Sequence, residues 1–386
     1  MKRTYRAEWI LPITGQPIHN GYISIEEGNI VDLGPAASLR GEGVIDLEHT
    51  VLFPALVNTL FHPDYPENLD QSTFRGNFFG WLHTARRESQ SASSVDVESR
   101  ILSSIKRCYD YGTAAIGIRT AVPDISHHLE HTGIYSAIFQ LLSGFRVNEA
   151  QEDWRQRVKF NNTDLVRFYD AGEFLFSLAP DVFREIARMN QRTALPLSFL
   201  KDEELFFNKA QGRIYQYLLS RGDMDYRWKP PRCSSIQYFL GSAFAAHDNI
   251  LSQVILVTEE ELDKLNEHAA TFHICLHPRF DRAWELGAAP GQLIQSKGFN
   301  ICLGTFADHM DMRREMQSAS AEYGFKPAEV LRMATLNGAR ALGFDPHIGS
   351  LEKGKVAKIY SVESDTAISD PYEFILLSTA RMKPVN

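Results

Sequence analysis

Short apolar runs of six to eight residues, separated by longer stretches of helical spacing, dominate the middle of this chain. They are VLFPALVN (51–58), TAAIGI (113–118), YSAIFQLL (135–142), FLFSLAP (174–180), ALPLSFL (194–200), SAFAAH (242–247), TFHICLH (271–277) and NICLGTF (300–306). Eight buried strands alternating with helices predict an α/β fold, either a (β/α)8 barrel or a doubly wound sheet. Helical spacing is plain at Val97, Ile101, Ile105 and Cys108 within 95–109, with Gly112 as the stop. A second helix over 329–343 follows Pro327 and ends at Gly343. Both ends of the chain alternate instead with period two. GYISIEEGNIVDLG reads as a hairpin around Glu-Gly-Asn, and GSLEKGKVAKIYSV (349–362) as a strand between Gly-marked turns. SQSASSVD (89–96) is the most linker-like stretch.

Composition changes this picture little but excludes several classes. The chain has 386 residues, 44% hydrophobic and 23% charged, enough for one large core and a small accessory unit. Its formal net charge of −8 argues against nucleic acid as a partner, and no apolar run reaches the roughly 20 residues of a membrane span. The opening residues lack the pattern of a secretory signal. Cys108, Cys233, Cys275 and Cys302 lie far apart without a C-x-x-C pair, so the expected address is the cytoplasm.

Several segments resemble the amidohydrolase superfamily. VIDLEHTVLFPALVNTLFH (44–62) is similar to its opening strand ending in Asn-x-His-x-His, with Leu60 in place of the first histidine and His62 at the second. ALPLSFLKDEE (194–204) resembles the strand ending in His-x-x-Glu, with Leu200 for the histidine and Glu203 retained. NICLGTFADHMD (300–311) resembles the Leu-Gly-Thr-Asp segment, with Phe306 for the aspartate. His247 in SAFAAHDNIL is the remaining candidate at a metal position. SLAPDVF (177–183) is similar to a strand ending in Pro-His-Ala, with Asp181 for the histidine; CLHPRFDRAW (275–284) resembles Cys-Pro-Arg-Ser-His, keeping Pro278 and Arg279 beside Phe280 and Asp281. With FFGWLHTARRE (78–88) and TLNGARALGFDPHIGSLEKGK (335–355), these features point to the aminodeoxyfutalosine, S-adenosylhomocysteine and cytosine deaminase branch.

The resemblance implies a (β/α)8 TIM-like barrel over 51–347 and a small β-sandwich composed of 1–50 and 348–386. It also implies working residues at the C-terminal ends of the strands. Family members hydrolyse C–N bonds with a metal-activated water, for which a catalytic metal needs about three protein ligands. Here Leu60, Leu200 and Phe306 replace three of the expected donors, which predicts a refilled, catalytically inactive site without a cofactor and a binding, scaffolding or regulatory role. The alternative is a rearranged zinc or iron site in an active deaminase-type hydrolase. Each survivor has two readings. His62 and His247 are either vestigial ligands or hydrogen-bonded strand-end histidines; Glu203 is either a proton shuttle or an acid favoured by a helix start. Asp181, Arg279 and Asp281 are the candidate substrate contacts, Asp308 and His309 a displaced base or ligand, and His277 a neighbour of the pocket. HHLEH (127–131) lacks the third ligand of a helical metal motif. The expected partner is an unidentified protein or small molecule, with a homodimer as the family's usual assembly.

Overall fold

The predicted N-terminal hairpin forms because two consecutive residues accept positive φ. Strand β1 (Arg3–Ile10) pairs antiparallel with β2 (Ile18–Glu26), which turns through Glu27 (φ 50°) and Gly28 (φ 78°) into β3 (Asn29–Pro35). Two left-handed residues match the twist of the flanking strands. β4 (Val44–Asp46) and β5 (Thr50–Pro54) both run parallel to β1, over its first and second halves. In this computed structural model, the described residues are 2–39, 43–65, 74, 77–122, 125–142, 152, 155, 161–178, 180–189, 192–225, 227–307 and 310–385.

The core of the molecule is two four-stranded parallel sheets. One is β6 (Leu56–Phe61), β7 (Thr113–Thr120), β8 (Tyr135–Leu142) and β9 (Val166–Gly172), in that order. The other is β10 (Arg192–Leu197), β11 (Asp248–Gln253), β12 (Phe272–Leu276) and β13 (Asn300–Leu303). A parallel bridge between Phe61 and Phe306 links the first sheet to the chain leaving β13. At the other seam Thr193 Oγ1 donates to the Asp170 carbonyl at 3.3 Å. Eight parallel strands with intervening helices make this an α/β fold of the TIM-like barrel type. The chain returns at its end to the terminal sheet, where β14 (Ile359–Glu363) pairs β5 and β15 (Lys383–Pro384) pairs β14. Among the described residues no helix is long and apolar enough to cross a membrane.

Three strand expectations fail, each for a packing reason. VLFPALVN is not one strand: it divides at Ala55, giving β5 to the terminal sheet and β6 to the barrel. FLFSLAP is not a strand either, since β9 lies earlier, in VRFYDAG, where four successive residues are only half-buried and the apolar signal is weak. SAFAAH is a 3-10 turn (Ala243–Ala246), and the strand is the following DNILSQ. Its polar Asn249 is wholly buried because Nδ2 donates to the carbonyls of Phe244 (2.7 Å) and His247 (2.6 Å). The two displaced apolar runs pack as loops, with Phe244 edge-on to Phe183 at 4.7 Å. Helical periodicity fared better, as helices Ser94–Asp110 and Pro327–Arg332 match it, the latter continuing through a π segment (Met333–Asn337) and an α-helix (Gly338–Leu342) to Gly343 in the left-handed conformation. SQSASSVD is a joint between two helices, not an extended linker.

β6 and β7 approach so closely at Gly117 that a Cβ there would lie 1.9 Å from the Thr59 carbonyl oxygen. Backbone cannot yield as a flexible side chain does. Gly117→Ala is therefore expected to cost about 3 kcal/mol, the upper end for overpacking, read as a lower urea midpoint at unchanged slope.

Candidate functional site

The C-terminal ends of the strands converge on an aromatic cluster. Leu60, at the end of β6, and Leu200, just past β10, are both buried. Phe306, past β13, is buried with its ring 4.1 Å from Phe280, 4.5 Å from His62 and 5.3 Å from His277 (centroid distances). Helix Phe78–Ser91, capped by Asn77 Oδ1 on the Gly80 N–H at 3.0 Å, brings Phe78 and Trp81 onto the same mouth. Phe78 meets Phe199 at 5.6 Å and Phe280 at 6.5 Å, and Trp81 meets Trp284 at 4.9 Å. Such ring pairs each add about 0.5–1.5 kcal/mol beyond their buried area. The space where strand-end donors would project is packed with rings.

Phe306 also sits in an unusual backbone state, φ 53°. For a bulky residue the left-handed region costs about 1–3 kcal/mol and persists only where the surroundings enforce it. Two backbone hydrogen bonds do so: Phe306 N–H to the Leu60 carbonyl (3.2 Å) and His62 N–H to the Phe306 carbonyl (2.6 Å). Ser198 (φ 53°) and Gln253 (φ 73°), at the ends of β10 and β11, share the feature.

The polar candidates are scattered. Glu203 lies in the first turn of helix Lys201–Lys209, and its carboxylate accepts from the N–H groups of Ser198 (3.2 Å), Phe199 (2.9 Å) and Leu200 (3.0 Å). Burial nevertheless pushes its carboxyl up to about 7, those hydrogen bonds opposing the rise. His247 precedes β11, so it stands at the opposite end of that strand from the mouth; the residue that ends β11 is Gln253. The expectation of a strand-end His247 is corrected by this shift of the strand. Gln253 Nε2 donates to Asp281 Oδ1 at 3.1 Å, and burial holds the Asp281 carboxyl well above the usual carboxylate range. Arg279 is engaged instead with buried Glu315, Nε to Oε1 at 3.7 Å. Asp181 falls in helix Pro180–Met189 with its side chain outside the described residues, as are Asp308 and His309 altogether. Within HHLEH, His131 is exposed and the side chain of His127 is outside the description.

Sequence reasoning missed a polar wall on the β6–β9 side. Arg119, wholly buried on β7, donates through Nη2 to the carbonyls of Gly172 (2.8 Å) and Glu173 (2.7 Å), while its Nε and Nη1 have no partner. Burial pushes its guanidinium down to about 9. Arg86 pairs with Glu173 and reaches the Tyr217 hydroxyl at 2.8 Å. Asp64 accepts from Ala121 N–H at 2.7 Å, and burial raises its carboxyl to about 6. An arginine inside an apolar strand, in AIGIRT, was the available signal.

A metal does not fit this set of donors. His62 and His277 present imidazoles with unpartnered nitrogens, both held neutral by burial. The Phe306 ring contacts both, and Leu60 and Leu200 supply carbon where oxygen or nitrogen is needed. Among the described residues no three His, Cys, Asp or Glu side chains gather as a metal site.

A model described as the amidohydrolase family matches residues 232–381. A 5-methylthioadenosine/S-adenosylhomocysteine deaminase of Syntrophobacter fumaroxidans is 24% identical over 388 residues, covering 90% of this chain and 81% of that protein. One from Halalkalibacterium halodurans is 32% identical over 139 residues, 33% of this chain; the match spans only 31% of that relative's length. The crystal structure of Helicobacter pylori aminofutalosine deaminase in complex with methylthio-coformycin superposes with a TM-score of 0.83 at 13% identity, covering 98% of this chain and 97% of that one. These matches bear out the resemblance to the amidohydrolases and to their deaminase branch.

The neutral histidines give a pH signature. Burial pushes His277 down to about 3, below its unfolded value near 6.5. The unfolded chain then binds the extra proton between those values, so the residue's contribution is complete above about pH 6.5 and is lost as pH falls toward 3. His277→Gln is expected to flatten the acid-side loss of stability by up to about 1.4 kcal/mol per pH unit, measured as the difference between wild-type and variant urea curves at pH 7, 6 and 5.

Proposed function

We propose that this chain is an amidohydrolase-fold protein that has given up metal-dependent hydrolysis and serves as a binding or regulatory component. The observation that carries this reading is the apolar filling of three expected donor positions: Leu200 and Phe306 are buried in the aromatic cluster, and Leu60 is buried among the small apolar side chains inside the barrel. A lost metal beside retained carboxylates would strand buried charge at a cost of several kcal/mol. Apolar replacements avoid that cost and regain packing. The deaminase relatives inform ancestry, while function belongs to the site. In this reading residues 51–347, less the part of β5 that pairs in the terminal sheet, form the barrel unit and the two termini with β5 the smaller one; the address is cytoplasmic, and the partner is a protein or small molecule.

One observation favours the competing reading of an active C–N hydrolase with a rearranged zinc or iron site. His62 and His277 both contact the Phe306 ring and keep unpartnered nitrogens, both of those on His62 and Nδ1 on His277. Two imidazoles alone fall short of the three ligands that a catalytic zinc uses.

Elemental analysis of purified protein is expected to find well under one zinc, iron or nickel per chain. A panel of adenosine-like and cytosine-like substrates, followed by ammonia release, is expected to show no metal-dependent turnover. Stoichiometric metal with turnover above background would reverse the conclusion. The combined variant Leu60→His, Leu200→His, Phe306→Asp is expected to remain within about tenfold of background, because Phe78, Trp81 and Phe280 still fill the mouth and no general acid–base gain of ~10²–10⁴ becomes available. Ready recovery of turnover would show that the pocket had stayed open.

A further inference from the structure

Beside the aromatic cluster, on the β6–β9 side, lies a cleft of about 120 Å³ whose wall includes His62, Asp64, Tyr65, Arg86, Leu141 and Glu173. It is far below the roughly 300–1,000 Å³ of pockets for drug-sized ligands, and holds the volume of about four waters at ~30 Å³ each. A nucleoside does not fit; a molecule of three or four heavy atoms does.

Charge indicates what that molecule is. Two carboxylates near the cleft have cations of their own: Glu173 is paired with Arg86, and Asp223 with Arg221 at 2.5 Å. Asp64 has no such partner; one oxygen accepts from the Ala121 N–H, the other is unpartnered, and burial pushes its carboxyl up to about 6, toward the neutral form. Arg119 is different. Its buried guanidinium is met only by the carbonyls of Gly172 and Glu173, and two of its three nitrogens have no acceptor. It is not itself on the wall but adjoins it through Glu173, whose carbonyl it donates to and whose residue lines the cleft, and its charge acts on the rings of His62 and Tyr65. On the wall itself His62, 2% exposed, leaves both ring nitrogens unpartnered, one of which is a donor in the neutral ring. A buried cation without a counter-charge is costly, and planar anions satisfy guanidinium donors best.

We propose that this cleft binds a small, planar, singly charged anion of formate, acetate or bicarbonate size, with Arg119 supplying the positive charge and His62 a hydrogen bond. The proposal deepens the non-hydrolytic reading and rests on it: the positive centre of the site is a guanidinium on β7 instead of a metal at the strand ends.

Isothermal titration of the full chain, with metal content measured on the same sample, tests this. Acetate and bicarbonate are titrated separately at constant ionic strength, with acetamide as the uncharged isostere of acetate. Saturable binding of at least one anion, tenfold or more tighter than acetamide, is expected. Which of the two binds more tightly identifies the source as a carboxylate or an inorganic anion. Arg119→Met is expected to weaken binding at least tenfold. Leu141→Trp, which fills the cleft and leaves every charge in place, is expected to abolish it and decides the matter should the arginine variant fail to fold. Equal affinity for acetate and acetamide, or anion binding unchanged in Leu141→Trp, overturns the proposal. Stoichiometric zinc or iron together with turnover above background overturns the non-hydrolytic reading, whereas protein without turnover that binds no anion overturns this inference alone.

Discussion

Two backbone hydrogen bonds, between Phe306 and the pair Leu60 and His62, set the geometry on which the rest of the mouth depends. They fasten the chain leaving the last barrel strand to the end of the first. In doing so they fix where the Phe306 ring must go: onto Phe280, with an imidazole on either side. Every neighbouring choice follows from that ring. Phe78 and Trp81 have an apolar surface to settle on, and the two histidines lose water and so lose their protons.

The mouth therefore has two halves of opposite character. The half over β10, β12 and β13 is mainly apolar rings held by packing, with Glu203, His277 and Asp281 also buried there. The half over β6 to β9 is a network of buried guanidinium, carboxylate and phenol groups, where each member depends on its partner because unpaired polar groups are expensive at low dielectric. On the polar half, unpartnered nitrogens remain on Arg119 and His62.

Much of the fold was legible because buried parallel strands and amphipathic helices write themselves as apolar runs and 3.6-residue periods. β7, with eight buried residues in succession, and helix Ser94–Asp110 are examples. β9 and β11 were not legible, since RFYD is half-exposed and DNILSQ carries polar Asn249, Ser252 and Gln253 at positions that are nevertheless buried. The error at β11 carried into the site: a strand placed six residues early set His247 at the wrong end and hid Gln253. Leu60, Leu200 and Phe306 were singled out from motifs, and all three are buried at or just past strand ends. The Arg119 wall was not, because a buried charge is defined by partners from other strands that no spacing announces.

The left-handed backbone at Phe306 bears on how this chain could change again. Asparagine and aspartate tolerate that conformation far better than phenylalanine does, so the main chain is still shaped for the residue the resemblance leads one to expect there. Main chain and side chain now pull in contrary directions: an acid would relax the turn yet strand a charge among rings. The position is thus locked by its surroundings and not by its own conformation, and an exchange of the ring for an acid would have to begin with the neighbours.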